Sequence, residues 1–302
     1  RYYGLVLALQ VVEVRRQVLE GMQHHLSDAK ALEANGIIAK GERLYAEVHT
    51  AEAERELLKA QKTVETLYSA LSNTLGGDES TYIPATSMFI LNDIERVSYF
   101  KDLAKQHSPL LKQVGYKKQL ATENMRLQRA DFAPQVALTG MAAFYNYQVS
   151  PIIPKWAVGA GVSLKIFDGL NREYKFSAAK SQIRQVEAVG HQAESDILTL
   201  IDKLYNEMVT YSQQLPSVNA SGRFAEEYLR IKEEAFKEGA APSSDVVDAR
   251  LNLAKIRIER LQAAYYYDMI LARLLEACGQ SELFPDYGKR AAAMPIRYEH
   301  DF

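Results

Sequence analysis

The residues of this 302-residue chain whose types could carry chemistry are its six histidines, its one cysteine and a few clustered acids. His24 and His25 are adjacent and His49 stands apart, with no Cys, Asp or Glu at the spacing of a metal site, so solvated helix faces account for all three. Cys278 lies in an apolar helical pattern near Leu274 and Ala277; it reads as a small core residue, and one cysteine forms no internal disulfide. No Gly-rich phosphate loop, nucleophile elbow or paired-acid constellation occurs, so neither enzyme activity nor a cofactor nor a metal is expected. A net charge of −2, with 25% charged residues of both signs, gives no basic footprint for nucleic acid. What remains is Asp245 and Asp248, directly after Ser243-Ser244. Acids in the first turn of a helix favour its N-terminus by about 0.3–1 kcal/mol each.

Those acids follow a turn, Gly239-Ala-Ala-Pro-Ser-Ser-Asp-Val-Val-Asp-Ala-Arg250, between two long helical runs. The turn has an earlier twin, Gly36-Ile-Ile-Ala-Lys-Gly-Glu-Arg-Leu-Tyr-Ala-Glu47. From Gly36 to Gly76 is 40 positions, and from Gly239 to Gly279 is 40 again. At the shared offset of 203, Ala46 meets Ala249, Ala51 meets Ala254, Glu56 meets Glu259, Leu58 meets Leu261, Ala60 meets Ala263 and Leu71 meets Leu274 without a gap. This is an internal duplication of a large helical hairpin. Gly36 and Gly239 are the expected helix C-terminal caps.

Along the chain, residues 1–34 put Leu5, Leu9, Val12, Leu19, Leu26 and Leu32 on one helical stripe. A second helix, about 42–75, carries a stripe of Leu44, Val48, Ala51, Arg55, Leu58, Lys62, Leu67 and Leu71, whose small members allow close helix approach. Gly76-Gly77-Asp78 ends it, and an irregular stretch with Pro84 follows. Val97, Phe100 and Leu103 predict a short helix. Ser108-Pro109 then reads as an N-cap and first helical residue of a helix to about Ala130. A helical pattern from about Arg172 to Lys237 has Pro216 as its only obstacle, a kink or break. No apolar run approaches the roughly 18 residues of a membrane helix. The opening Arg1-Tyr2-Tyr3-Gly4 falls inside a helical pattern with neither Met nor signal sequence, and reads as a truncated or processed start.

Between these helices the period changes to alternation. Phe132–Tyr147 reads as one strand and Trp156–Phe167 as another, with Trp156, Val158, Ala160, Val162, Leu164 and Ile166 on one face. Ala157, Gly159, Gly161, Ser163 and Lys165 take the other. Each run reaches the roughly 9–11 residues with which a tilted strand crosses a bilayer. Tyr145, Tyr147 and Trp156 flank the loop Ser150-Pro-Ile-Ile-Pro154, where an interfacial aromatic girdle would lie. The other reading of the pair is a soluble hairpin with one solvated face, and either way a lone hairpin needs partner strands.

Trp156-Ala-Val-Gly-Ala-Gly-Val-Ser-Leu-Lys-Ile-Phe-Asp-Gly-Leu-Asn-Arg172, the turn Gly239–Ala249, and Tyr99-Phe-Lys-Asp-Leu-Ala-Lys-Gln-His-Ser-Pro-Leu111 resemble the TolC-type outer membrane efflux and secretion channels over essentially the whole chain. The resemblance implies a mainly α fold of long antiparallel hairpins in an α-barrel, with an inserted amphipathic β-hairpin belonging to a trimeric outer membrane β-barrel. It divides the chain into a first-copy hairpin at 1–76, whose strand pair would lie upstream, and an irregular equatorial linker at 77–107. The second copy at 108–279 comprises a helix 108–131, a β-hairpin 132–168, a long helix 169–238 and a return helix 243–278. A C-terminal tail occupies 280–302. It implies a homotrimer in outer membrane lipid, extending into the periplasm of a Gram-negative bacterium. That trimer would act as passive exit duct for a periplasmic adaptor and an inner membrane RND or ABC pump, in efflux or type I secretion. Gly36, Ile37, Ile38, Gly239, Ala240 and Ala241 would dock the adaptor, Ser244, Asp245 and Asp248 would line the mouth, and Trp156, Val158, Val162 and Leu164 would face lipid. The first turn departs from the second, with Ala39, Lys40, Gly41 and Glu42 standing where Pro242, Ser243, Ser244 and Asp245 do, so the match at Glu42 is weaker. A periplasmic adaptor or a structural coiled coil are the competing readings; the single strand pair at 132–167 fits neither.

Overall fold

A computed structural model describes residues 1–76, 84–142, 156–290 and 292–298. Tyr145, Tyr147 and the loop 150–154 lie outside the described residues. The elements run α1 (Tyr2–Ala34), α2 (Lys40–Leu75), β1 (Met88–Leu91), α3 (Val97–His107), α4 (Pro109–Ala130), β2 (Gln135–Ala142), β3 (Trp156–Ser163), α5 (Asn171–Lys237), α6 (Ser243–Cys278), a 3₁₀ turn (Ser281–Leu283), α7 (Phe284–Gly288) and β4 (Ala293–Ile296). They form two compact units, 1–103 with 200–302, and 104–199.

The duplication is visible in the helix ends of the first unit. The ends of α1 and α5, Ala34 and Lys237, stand 203 positions apart, and α2 and α6 have 36 residues each. Gly36 and Gly239 take φ of 72° and 74°, the left-handed region that a side chain disfavours. Each closes a double-bonded cap: Gly36 N–H donates to the Glu33 carbonyl and Ile37 N–H to Leu32, while Gly239 N–H donates to Phe236 and Ala240 N–H to Ala235. Gly279 repeats the arrangement after α6 with Glu276 and Leu275.

Packing corrects the stripe expected on α2. Leu44, Val48 and Leu58 are 44%, 57% and 56% exposed. Ala46, Thr50, Ala53 and Val64 are buried instead, each two positions beyond an expected residue, while Leu71 is buried as expected. The small residues among them bring α1 close enough for the Thr50 hydroxyl to donate to the Met22 carbonyl at 3.2 Å. Of the equivalent positions of α6, Ala249, Leu253, Tyr267 and Leu274 are buried too, and Ile256 is half-buried.

The chain from 280 onward carries structure that composition does not announce. β4 pairs antiparallel with β1, Met88 opposite Ile296 and Leu91 opposite Ala293, and all four residues of β1 are buried. Asp268 of α6, wholly buried, accepts the Phe89 N–H at 3.3 Å. Phe100 of α3 packs on Tyr205, and its carbonyl accepts the Cys278 thiol at 3.3 Å, so the cysteine is a core residue. Of the two outcomes expected at Pro216, a kink or a break, the break does not occur: α5 is helical through it. Proline removes the N–H that would reach the Ser212 carbonyl. The Ser212 hydroxyl ties the same turn to the Leu91 carbonyl at 3.1 Å.

In the second unit the Lys118 and Lys105 ammonium groups pair with Glu187 and Glu194 of α5 at 3.0 and 4.0 Å. Ala121 and Ala179 are buried in their helices. Pro109 opens α4 after Ser108, as expected, although no side-chain capping bond forms there. Beyond α4, β2 and β3 pair antiparallel with Val136 opposite Val162, Leu138 opposite Ala160, Gly140 opposite Val158 and Ala142 opposite Trp156. Directly opposed residues share a face. Val136, Leu138, Trp156, Val158, Ala160 and Val162 therefore form one apolar surface, and Gln135, Thr139, Gly159 and Ser163 lie on the other.

Candidate functional site

The two turns meet. A Cβ placed on Gly239 would lie 2.9 Å from the Ile37 side chain, so the second turn passes the first at glycine distance. Beneath them Ala29, Ala46, Leu229, Phe236, Val246 and Ala249 form a common core. Small residues at 29, 46 and 249 permit the approach, and Phe236 supplies the bulk. Ile37 is 53% exposed, whereas Ile38 turns inward and packs on the shared core. Gly36, Gly239 and Ala240 are exposed and Ala241 half-buried.

Polar groups that the sequence reading passed over bind the turns together. Ser243, wholly buried, shares a 2.6 Å hydrogen bond between its hydroxyl and His25 Nε2, and its backbone N–H donates to Glu42 Oε2 at 2.6 Å. The solvated helix face expected for His25 is thus wrong: the ring is 4% exposed and lies 4.4 Å from the Phe236 ring. Burial, and then the neighbouring Arg250 charge, lower its pKa to about 4, so it is neutral across the ordinary pH range. A serine beside a histidine is the start of a nucleophilic pair. Here the hydroxyl is wholly buried, closed to any substrate, so the pair is a structural link.

Arg250 lines the groove next to it, with Gly21, Asp28 and Glu233. Its guanidinium pairs with Glu233 and lies across Gly21, leaving no room there for a Cβ. Burial pushes the Arg250 pKa down and Glu233 opposes that shift. Asp245 accepts Lys232 Nζ at 2.7 Å, a bond that raises the lysine's pKa. Ser244 is half-buried and Asp248 exposed. Of the histidines, His49 pairs with Glu52 at 2.8 Å. Among the described residues no group of three or more His, Cys, Asp or Glu is placed to hold a metal ion. Nothing in the sequence marked His25; a fold that closes its separation of 218 positions from Ser243 brings it beside the second turn.

The other expected surface is on the hairpin of the second unit. Trp156, Val158 and Val162 are 70–75% exposed, and Val136 and Leu138 beside them equally so. Leu164 is exposed but lies just beyond the end of β3. No helix among the described residues is long and apolar enough to cross a membrane.

No curated protein matches this sequence. Among solved structures, a membrane protein from Pseudomonas aeruginosa superposes with a TM-score of 0.76 at 18% identity over 92% of this chain and 64% of its own. The outer membrane protein VceC from Vibrio cholerae gives 0.76 at 18% over 92% and 67%, and the CmeC outer membrane channel of Campylobacter jejuni 0.69 at 17% over 96% and 64%. The chain therefore spans just under two thirds of the length of the first of these. At such identities the superpositions establish a shared fold of long hairpins with an inserted strand pair. The sequence profile of the outer membrane efflux proteins matches residues 101–280, more than half of the chain, and with the duplicated hairpins and apolar-faced strand pair it makes this chain a member of that family.

Proposed function

We propose that the chain builds part of a passive exit duct of the outer membrane, extending into the periplasm. The observation that carries the reading is the β2–β3 hairpin, whose entire apolar face is open. A two-stranded hairpin is marginal in water, whereas strands alternating apolar-out and polar-in are what a membrane barrel requires. The duct works as a homotrimer. Uncovered apolar stripes support this, Leu44, Val48 and Leu58 on α2 and Phe224 and Ile231 on α5, since exposed patches of this kind mark association surfaces. A periplasmic adaptor docks on Ile37, Ala240 and Ala241 around the capping Gly36 and Gly239, and Ser244, Asp245 and Asp248 line the mouth. An RND or ABC pump of the inner membrane supplies the energy. Residues 1–76 and 108–279 act as the two copies, joined through 77–107. Planar-bilayer recordings of the purified protein test the reading: discrete conductance steps from trimers are expected. Protein that neither inserts nor conducts would falsify it.

A further inference from the structure

The two copies of the hairpin have diverged at one pair of acids, and the divergence has a direction. Glu42 is the counterpart of Asp245 at the offset of 203. In the second copy, Lys232 of the same hairpin holds Asp245 at 2.7 Å. The residue equivalent to Lys232 is Ala29, fully buried in the shared core. Glu42 therefore has no lysine of its own hairpin at that place, and its carboxylate reaches the other hairpin.

What it meets there is a group in need of an acceptor. Ser243 is the first residue of α6, and a helix start leaves its first N–H groups without intrahelical partners. Pro242, in the capping position, has no side-chain acceptor, and no side-chain bond from it closes the helix. Glu42 Oε2 takes the Ser243 N–H at 2.6 Å while the Ser243 hydroxyl shares a hydrogen bond with His25. We infer that Glu42 is a positioning residue, the helix cap of α6 supplied by the first copy, which makes the placement of Ser244 and Asp245 depend on the first hairpin. Its consequence for conduction rests on the reading of the turns as the mouth of the duct.

Amide hydrogen exchange resolved at Ser243 tests this in the protein. Glu42→Ala removes the acceptor and should speed exchange of that amide about tenfold or more, as expected for a lost bond to a charged group. The amides of Leu271–Leu275, in the interior of α6, should not change. Glu42→Gln keeps an acceptor oxygen and should restore most of the protection. Unchanged exchange in Glu42→Ala, exchange in Glu42→Gln as fast as in Glu42→Ala, or a loss spread evenly over α6 in both would each overturn the assignment. Single-channel conductance of the same variants reads the mouth separately. A tenfold change in exchange with unaltered conductance keeps the cap and overturns instead the placement of the turns at the duct's mouth.

Discussion

At the scale of single residues, Gly36 and Gly239 take the same backbone conformation in different surroundings. Nothing lies within 4 Å of a Cβ placed on Gly36, while one on Gly239 meets Ile37 at 2.9 Å. Gly36→Ala should therefore cost only the left-handed penalty, about 1–2 kcal/mol, and Gly239→Ala that penalty plus the displacement of Ile37. Urea denaturation of the two variants should rank them in that order; equal costs would mean that the turns do not touch in solution. Asp268 makes a second case. Burial raises its pKa to about 8, against which the bond from the Phe89 N–H acts only in part. The folded state thus holds a proton that the unfolded chain releases near pH 4. Asp268 contributes its full stability below that pH and loses it as pH rises toward 8. Asp268→Asn keeps an acceptor for Phe89 and removes the titration, so its melting temperature should fall less than that of the wild type between pH 5 and 8. Parallel curves would show that Asp268 is charged in the fold. Neither His25 nor Asp268 was legible in the sequence, because a buried polar residue is defined by partners far along the chain. The glycines were, because a helix C-terminus demands that conformation locally.

At the scale of elements, alternation revealed the strand pair, because a side-chain period of two is a local property. The register adds that Val136 and Val162 are opposed on the apolar face, next to Gln135 opposite Ser163 on the other. Adjacent residues of β3 should then respond oppositely to charge. Val162→Arg puts a guanidinium on the face assigned to lipid, at a cost of roughly 2–4 kcal/mol near the bilayer midplane. Ser163→Arg places it toward the polar side, where it should alter conductance and leave assembly intact. Membrane fractionation of the two variants decides the matter, and equal assembly would remove the face assignment. Helix existence was readable in the same way, yet the stripe of α2 was misread by two positions over its first half, though Leu71 near its end is buried as expected. Leu44, Val48 and Leu58 and the buried Ala46, Thr50 and Ala53 both follow helical spacing. The leucines are the more apolar set, so sequence alone favours the face that the chain itself leaves uncovered. β1 and β4 escaped for another reason. Each is four residues long and β4 contains Pro295, so a pairing across some 200 residues leaves no local pattern.

At the scale of the molecule, the duplication organises the tip, and it was legible because equal spacing between capping glycines survives sequence divergence. Its chemistry was not, since the copies now carry different partners at equivalent positions. The mouth assignment has to accommodate the Lys232–Asp245 pair, which was invisible in the sequence. If Asp245 acts through that link, Asp245→Ala and Lys232→Met should raise single-channel conductance alike. If it acts as a ring of charge, Lys232→Met should instead leave a bare carboxylate and increase cation selectivity. The docking role rests on the exposed residues alone. Ala240→Asp and Ile37→Asp keep both capping glycines and leave Glu42, His25 and Ser243 in place, so folding and trimer formation should survive the pair of changes. Burying an unpaired carboxylate at an apolar contact is unfavourable by several kcal/mol, so an adaptor seated on these turns should be lost. The expected outcome is trimers of normal conductance that do not support export in cells, with light scattering and bilayer recording run beside the export assay. Normal export by the double variant would place the docking surface elsewhere, and the uncovered stripe at Leu44 and Val48 of α2 is then the next surface to alter.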